Sequence, residues 1–223
     1  MDKIFLDSYD NIIENIEYDY VFTSPPDFEE IGTDPSKPEI YQEFLLEIFS
    51  RMNPSRKLIT ISFTDRKFGG GIVSKSTILK NVMFELGYSL KSHKIWVKSL
   101  KIDMFRLSYS NILTFGKGKT KQNMTKDFKP DVWMHKNEKY KKYAYGMPLE
   151  IPIKCIENYT KSGDVVYDPF MGSGTTAVAA IRTGRHYIGS EICPEYFNLS
   201  QERLHQESLT ILLTDHEKND IIV

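Results

Sequence analysis

The sequence has no apolar run long enough to span a membrane, and Met1-Asp2-Lys3 lead directly into a strand-like run. We therefore expect neither a membrane anchor nor a signal peptide. Cysteine is scarce, because the chain has only Cys155 and Cys193, and their spacing does not suit a metal site. We expect no metal, reduced thiols and a cytoplasmic, intracellular protein. The formal net charge is −1, so the charge balance does not indicate a particular partner.

The chain also lacks internal repeats and any linker-like stretch that would divide it. Its 223 residues, 40% hydrophobic and 26% charged, suffice for one α/β domain with a full core. Seven apolar runs are predicted strands, and their alternation with helical patterns predicts a largely parallel sheet with helices on both faces. The runs at 88–97 and 107–115 have no helix between them and predict an antiparallel hairpin at an edge. We interpret residues 1–223 as a single domain.

Two glycines lie between a predicted strand at 165–167 and a predicted helix. Glycine permits a sharp turn and a close approach of a ligand, and the first amides of a helix favour an acceptor or an anion. The next strand ends at Glu191, where an acid suits the ribose hydroxyls of a nucleoside. The combination predicts a nucleoside-type cofactor. The stretch reads Asp168-Pro169-Phe170-Met171-Gly172-Ser173-Gly174-Thr175-Thr176.

Two residue types are missing from this stretch, and each absence argues against a class of nucleotide-binding protein. Ala177 stands where the dinucleotide fingerprint has its last glycine, although an alanine is sometimes allowed there. No lysine is present to grip phosphates, which argues against a P-loop nucleotidase. We therefore expect a cofactor other than a dinucleotide or a nucleoside triphosphate.

A second rigid stretch, Thr23-Ser24-Pro25-Pro26-Asp27, follows a predicted buried strand. The two prolines fix two backbone torsions and remove two amide donors, so nearby carbonyls and the Ser24 hydroxyl form a rigid group of acceptors. Such acceptors can take both N–H donors of an exocyclic amino group on a base and aim its lone pair at an electrophile. A purely structural turn is the alternative. Because ligands bind beyond the carboxyl ends of parallel strands, we expect both stretches to face one crevice.

Lysine is concentrated in a stretch from about 116 to 145, which contains no arginine. Nine lysines stand there against three acids, and aromatic residues such as Phe128 and Trp133 are interleaved with them. Cations for phosphates and aromatic faces for bases are typical of nucleic-acid contacts, and a solvated face is the simpler alternative. The lysines that we expect to contact nucleic acid are Lys117, Lys119, Lys121, Lys136, Lys139 and Lys141.

The two motifs together resemble those of the amino-methylating DNA methyltransferases, which use S-adenosylmethionine. Residues 168–176 resemble the family's cofactor motif, and residues 23–27 resemble its catalytic (S/D/N)-P-P-(aromatic) motif. The catalytic motif comes first, as in the permuted β-type order, and the resemblance spans about residues 3–205. It implies a seven-stranded Rossmann-like methyltransferase fold, extrusion of the target base from double-stranded DNA, and direct methyl transfer without a metal.

The resemblance also implies roles for single residues. Ser24, Pro25, Pro26 and Asp27 would form the catalytic site, and serine at the first position favours the N4 amino group of cytosine over the N6 amino group of adenine. Carbon-5 methylation is disfavoured because no cysteine follows a proline. The implied cofactor contacts are Asp7, Thr23, Asp168, Pro169, Phe170, Gly172, Ser173, Gly174, Thr175 and Glu191.

The sequence departs from the family pattern at Asp27, where an aromatic residue normally stacks on the extruded base. Either Phe28 supplies the ring one residue later, or Asp27 hydrogen-bonds the edge of the base. The loops at 28–38 and 66–74, the second with three consecutive glycines, are expected to close over that base. The small recognition segment at 116–145 predicts a short or relaxed target sequence, to which a homodimer would add surface.

Several interpretations of the function stay open at this point. The leading one is a cytosine-N4 DNA methyltransferase of the kind found in restriction-modification systems. The alternatives are an adenine-N6 DNA methyltransferase, a catalytically silent protein that binds S-adenosylmethionine or DNA, and an enzyme that acts on RNA or protein.

Overall fold

An eight-stranded sheet flanked by helices forms the centre of the computed structural model, which describes residues 2–13, 16–52, 58–100, 107–120, 122–123, 125–137 and 146–219. The strands are β1 (Lys3–Leu6), β2 (Tyr20–Thr23), β3 (Leu58–Phe63), β4 (Arg66–Phe68), β5 (Gly71–Val73), β6 (Ser89–Val97), β7 (Tyr109–Gly116), β8 (Val132–Met134), β9 (Val165–Asp168) and β10 (His186–Glu191). The helices are α1 (Pro38–Arg51), α2 (Lys75–Glu85), α3 (Glu150–Tyr159), α4 (Thr175–Arg182) and α5 (Pro194–Asn219).

The strand order is β1-β10-β9-β2-β3-β7-β6-β8, and β4 and β5 form a separate hairpin. The first five strands of this order run parallel, so their carboxyl ends share one edge, which we call the carboxyl edge. Strand β7 is antiparallel to β3 and β6, so it begins at the carboxyl edge and ends at the opposite, amino edge. The last two strands, β6 and β8, again run toward the carboxyl edge.

Alternating side chains of the strands pack into two apolar layers, one on each face of the sheet. On β2, Val21 faces the layer that α1 and α2 cover, whereas Tyr20 and Phe22 face the layer that α3, α4 and α5 cover. Alternate residues of a strand point to opposite faces, and a strand buried on both faces reads as a continuous apolar run. This burial holds the strand ends rigidly, and the site is built on those ends.

All seven predicted strands are present, and the predicted α/β class with its mostly parallel sheet is confirmed. The predicted antiparallel pair is β6 and β7, but it does not lie at the edge. Strand β8, which the sequence analysis missed, pairs with β6 and forms that edge. Its few residues lie inside the lysine-rich stretch, where the composition hides a three-residue strand.

The glycines at 69–71, predicted to be a flexible loop, form a tight turn instead. Gly69 and Gly70 have φ angles of 58° and 78°, and Phe68 pairs directly with Gly71. Two successive positive φ angles define a turn that joins two antiparallel strands with the right-handed twist, and glycine adopts them without strain.

The last helix, α5, begins at Pro194 and extends to Asn219. Within the described residues, none of the helices has the length and apolarity needed to cross a bilayer.

Candidate active site

Strands β2 and β9 are neighbours, and their carboxyl ends bring the two sequence motifs together. Tyr20 pairs with Val166, and Val21 pairs with Tyr167. Beyond these pairs, the Thr23 hydroxyl donates a hydrogen bond of 2.7 Å to Oδ1 of Asp168. Stretches that lie far apart along the chain are thus joined by a buried bond, as the prediction of one crevice requires.

Asp168 is 3% exposed and is surrounded by hydrogen-bond donors. Its Oδ1 also accepts from the amide of Phe170 at 3.0 Å, and its Oδ2 accepts from the Thr176 hydroxyl at 2.6 Å. Burial disfavours the charged carboxylate and raises the pKa of Asp168 to about 6, although the bonds from Thr176 and Thr23 oppose that rise. The Asp168 side chain therefore orders the start of the glycine loop, residues 169–174, but its burial disfavours the ionised form of the carboxyl group.

The raised pKa of Asp168 predicts a pH dependence of stability. Because the folded-state pKa exceeds that of an unfolded aspartate, the contribution of Asp168 is present at pH 4 and is lost as the pH rises through 6. Comparison with Asp168→Asn should show wild type losing about 2 kcal/mol of unfolding free energy relative to the variant between pH 4 and 7. Urea denaturation at several pH values measures this difference.

Asp34 provides a control of opposite sign, because hydrogen bonds from Ser36 lower the pKa of this exposed aspartate. Wild type should lose stability relative to Asp34→Asn as the pH falls, and by much less because solvent screens the exposed group. A difference between wild type and Asp168→Asn that does not vary with pH would contradict the prediction.

The glycine loop lies between β9 and α4 and is shaped by two left-handed backbone positions. Gly172 and Gly174 have φ angles of 55° and 81°. A Cβ atom on Gly174 would lie 3.0 Å from Cβ of Ser200, so α5 packs directly against this position. A Cβ on Gly172 would have only the Phe170 carbonyl oxygen within 4 Å, at 4.0 Å, so the space beside Gly172 is open to a ligand.

Arg203 of α5 clamps the far side of this loop, and the sequence analysis missed it. Its Nη1 donates to the Ser173 carbonyl at 2.7 Å, to the Ser173 hydroxyl at 3.0 Å and to the Thr175 hydroxyl at 3.1 Å. Nothing local in the sequence marks this residue, because its partners lie about thirty positions away. The clamp fixes the loop before any ligand is bound.

Glu191 ends β10, beside β9, and its carboxylate closes the other side of the loop. Oε2 accepts from the Gly172 amide at 2.7 Å, and Oε1 accepts from the Cys193 amide at 2.8 Å. Asp7 follows β1, the next strand along, and its amide donates to the Glu191 carbonyl at 3.1 Å. Asp7 and Glu191, two of the acids predicted to contact the cofactor, are therefore neighbours at the carboxyl edge.

The remaining predicted cofactor contacts also lie at this edge. The Pro169 carbonyl accepts a hydrogen bond from the Ser190 hydroxyl, and the Phe170 ring packs 5.4 Å from Tyr9 and 6.0 Å from Phe44. The structure thus brings all of the predicted cofactor residues to the carboxyl ends of four adjacent strands, β1, β10, β9 and β2.

The Ser24-Pro25-Pro26-Asp27 stretch is held by contacts with α1 and α2. The Tyr41 hydroxyl of α1 donates to the Pro26 carbonyl at 3.0 Å. Within the described part of the chain, the exposed Ser24 hydroxyl has no hydrogen-bond partner. The prediction of a rigid group of acceptors with an available hydroxyl is compatible with this geometry.

Asp27 carries an ion pair that the sequence analysis did not anticipate. Its Oδ1 lies 3.0 Å from Nζ of Lys75, whose side chain is only 4% exposed, and its Oδ2 lies 3.8 Å from Nη1 of Arg66. Lys75 is the first residue of α2, and the Ser76 amide and hydroxyl bond to Asp65, which fixes this helix end. A buried lysine is therefore aimed at Asp27.

A cleft of about 980 Å³ opens beside Ser24 and Asp27. Its walls come from the carboxyl ends of β3 and β6, the start of β7 and the hairpin of β4 and β5. The described residues that line it include Ser24, Pro25, Asp27, Asp65, Arg66, Lys67, Lys75, Trp96, Lys98, Ser110, Asn137 and Met147. The glycine loop is not among them, so the stretch from Ser24 to Asp27 lies between the cleft and that loop.

Phe28 does not line the cleft, which corrects the prediction that its ring stacks on an extruded base. The side chain is fully buried, and its ring centroid lies 4.6 Å from that of Tyr41. The chain turns into a 3-10 helix at Glu29–Ile31, which directs Phe28 into the core. Of the two alternatives considered for this position, only Asp27 faces the cleft.

The lysines predicted to contact DNA are not grouped together. Lys117 follows the end of β7 at the amino edge, where its Nζ lies 4.6 Å from the Tyr88 ring centroid, and Lys119 is close to it in sequence. Both follow β7 at the edge opposite the cleft, and their contact with DNA stays a prediction. Lys136 follows β8 at the carboxyl edge, beside Asn137 of the cleft. Lys121, Lys139 and Lys141 lie outside the described residues.

A glycine loop after one parallel strand and an acid at the end of the next are the arrangement of a nucleoside-cofactor site in a Rossmann-like α/β fold. The family model described as DNA methylase, for N6 and N4 methylases, matches residues 18–202. This chain therefore belongs to that DNA methylase family.

Two curated relatives share local similarity with parts of the chain. The orphan methyltransferase M.BamHII of Bacillus amyloliquefaciens is 42% identical over 94 residues, which are 38% of this chain and 36% of that protein. The type II methyltransferase M2.DpnII of Streptococcus pneumoniae is 40% identical over 85 residues, 36% of this chain and 32% of that protein. The chain thus spans about a third of the length of these relatives.

Solved structures match over almost the whole chain. The PvuII DNA methyltransferase, described as cytosine-N4-specific, superposes with a TM-score of 0.78 at 19% identity, over 89% of this chain and 84% of that one. The M1.HpyAVI–SAM complex superposes with a TM-score of 0.70 at 24% identity, over 92% of this chain and 99% of that one. At these identities the likeness confirms the Rossmann-like methyltransferase fold.

Proposed function

We propose that this protein transfers a methyl group from S-adenosylmethionine to the N4 amino group of cytosine in double-stranded DNA. The observation that carries the proposal is the hydrogen bond between Thr23 and Asp168. This bond holds residues 24–27, which we call the catalytic stretch, and the glycine loop at adjacent strand ends. Membership of the DNA methylase family and the relatives' descriptions as DNA methyltransferases support the substrate class. DNA as substrate would place the protein inside the cell.

The residues of the glycine loop fit S-adenosylmethionine as the cofactor. The space beside Gly172 is open, the first amides of α4 favour an acceptor, and Glu191 offers carboxylate oxygens where ribose hydroxyls would lie. When bound, this cofactor supplies an electrophilic methyl group on a positively charged sulphur, which leaves as a neutral thioether. Asp168 and the clamp formed by Arg203 keep the loop in the shape that receives it.

Ser24 and the proline-rich backbone supply the orientation of the acceptor. The Ser24 hydroxyl and the Pro25 carbonyl accept the two N–H donors of the amino group, which directs the nitrogen lone pair toward the glycine loop. One N–H proton must leave the nitrogen after the new N–C bond forms, and Ser24 passes it to water in the open cleft. The reaction needs positioning rather than a covalent enzyme intermediate.

The pair of Asp27 and Lys75 accounts for the preference for cytosine. An extruded base is read through hydrogen bonds to its Watson–Crick edge. Cytosine has two acceptors on this edge, N3 and O2, whereas adenine has N1 and then a C–H group. The Lys75 ammonium, held 3.0 Å from Asp27 in the cleft, is a donor suited to the O2 carbonyl that adenine lacks.

The test is to methylate duplexes of varied sequence, digest them and identify the methylated nucleoside by mass spectrometry. We expect N4-methyldeoxycytidine and no N6-methyldeoxyadenosine. Only methyladenine would overturn the choice of base but not the reaction. Retained cofactor binding with no methylated nucleoside in any DNA would favour the silent alternative, and transfer to RNA or protein in competition with DNA would overturn the substrate class.

A further inference from the structure

The hairpin of β4 and β5 exposes two large apolar side chains at its tip. Phe68 is 44% exposed and Ile72 is 55% exposed, on either side of the turn at Gly69-Gly70. At the base of the hairpin, by contrast, Val73 packs against the core. Because Phe68 is opposite Gly71 and Ile72 is opposite Lys67, the two side chains lie on opposite faces of the tip. Exposure of a large apolar side chain to water on each face of one tip is unfavourable, which indicates that the tip enters apolar surroundings on both faces.

The hairpin stands at the rim of the cleft. Arg66 and Lys67 of β4 line it, and Lys75 lines it from the helix that follows β5. Strand β3, which pairs with β2 through Thr23 and Ile61, leads directly into the hairpin. The tip therefore projects from the rim of the cleft into which Ser24 opens.

The charge of this segment suits a polyanion. From residue 66 to residue 80 all charged side chains are cations: Arg66, Lys67, Lys75 and Lys80. Among the residues that the structure describes, four acids line the cleft, and all of them lie outside this segment: Asp27, Glu29, Glu30 and Asp65. Three of the four are bonded to it. Asp27 pairs with Lys75 and Arg66, Glu29 pairs with Arg66, and Asp65 bonds Ser76. An apolar tip on a cationic hairpin suits a duplex, which offers phosphates outside and stacked bases inside.

The hairpin is also connected to the catalytic stretch. The guanidinium of Arg66 forms ion pairs with both Asp27 and Glu29, on either side of the buried Phe28. A displacement of β4 would therefore be felt at Asp27. This coupling links a contact made by the tip to the residue that faces the base.

We propose that this hairpin enters the DNA double helix beside the target base, with Phe68 and Ile72 occupying the space from which the base is extruded. The inference rests on the proposed function and adds to it the element that stabilises the extruded state. Apolar side chains that wedge between base steps offset unstacking, which amounts to a few kcal/mol per step. The hairpin thus acts as a wedge in the duplex, and not as the lid predicted from its glycines.

The test compares the double variant Phe68→Ala, Ile72→Ala with wild type on the same DNA, either duplex or heat-denatured. We expect the rate of labelled methyl transfer to duplex at low DNA concentration to fall at least 10-fold, because unstacking is no longer compensated. Transfer to single strands should stay within about twofold. Phe84→Ala is the matched control, since this phenylalanine is 50% exposed but lies near the amino-edge end of α2.

Each other outcome decides against the inference. An unchanged duplex rate, or equal losses on duplex and single strands, would overturn it. So would a wild-type dimer, seen by analytical ultracentrifugation, that the double substitution converts to monomer, because the tip would then bind a second copy of this chain. If wild type methylates no DNA, the proposed function fails, and the affinity for duplex DNA then tests the wedge separately. A dissociation constant unchanged by the double substitution would overturn the wedge.

Discussion

Replacement of Ser24 by alanine is expected to lower the turnover number for DNA methylation about 100-fold, which is the usual effect of removing one positioned hydrogen-bonding group from a reacting centre. The exposed hydroxyl stands at the end of β2, where it can accept from the amino group and receive the surplus proton. Its loss leaves the lone pair poorly aimed, whereas Thr23 and the bond to Asp168 remain. Steady-state methyl transfer to duplex DNA measures the effect.

Cofactor affinity separates this loss from damage to the fold. Isothermal titration with S-adenosylmethionine should give dissociation constants for Ser24→Ala and wild type within about twofold, because Ser24 lies on the cleft side of the catalytic stretch. Ser162→Ala is the control. Ser162 lies at the amino edge in the turn before β9, and its hydroxyl donates to the Gly184 carbonyl. Full activity in Ser24→Ala would contradict a role of the hydroxyl in transfer.

Replacement of Glu191 by alanine is expected to weaken the binding of S-adenosylmethionine about 100-fold. Hydrogen bonds to a charged group contribute about 1.5–3 kcal/mol each, and the ribose of the cofactor would lose its bonds to the carboxylate. The substitution also removes the partner of the Gly172 amide, so the loop loses a bond that orders it in advance. Titration calorimetry measures the affinity, and thermal unfolding shows how much of the loss reflects a loosened loop.

Glu207→Ala is the matched control for this substitution. Glu207 lies on α5 and forms an ion pair with Arg182 at 2.7 Å, away from the carboxyl edge. Breaking a largely surface ion pair costs at most about 1 kcal/mol of stability and should leave cofactor affinity unchanged. A loss of less than about threefold in Glu191→Ala would show that the ribose is held by other groups.

Much of the fold and of the cofactor site was predictable because the signals are local. A strand buried on both faces reads as an apolar run, and β2, β9 and β10 each end at a residue type suited to a ligand. Placing β2 beside β9 required the family resemblance in addition to these local patterns. The pairing of β2 with β9 is a contact between distant segments, and no pattern within either strand specifies it.

The failures arise where distant segments decide the outcome. The prediction that Lys117 and Lys119 contact DNA rests on composition alone, whereas their place at the amino edge depends on the direction of β7. The direction of Phe28 depends on the turn that follows it and on Tyr41 in another element. Lys75 and Arg203 act on residues far along the chain, so their roles become visible only once the sheet is assembled.

The pairing of β2 with β9 has a consequence for how such proteins can be rearranged. Neighbouring parallel strands are joined by crossings over the faces of the sheet, so spatial adjacency does not depend on which strand is synthesised first. A circularly permuted gene that encodes β9, α4 and β10 ahead of β2 should yield the same pair of strand ends and the same bond between Thr23 and Asp168. The order of the segments along the chain can therefore change among descendants while the two strand ends stay adjacent.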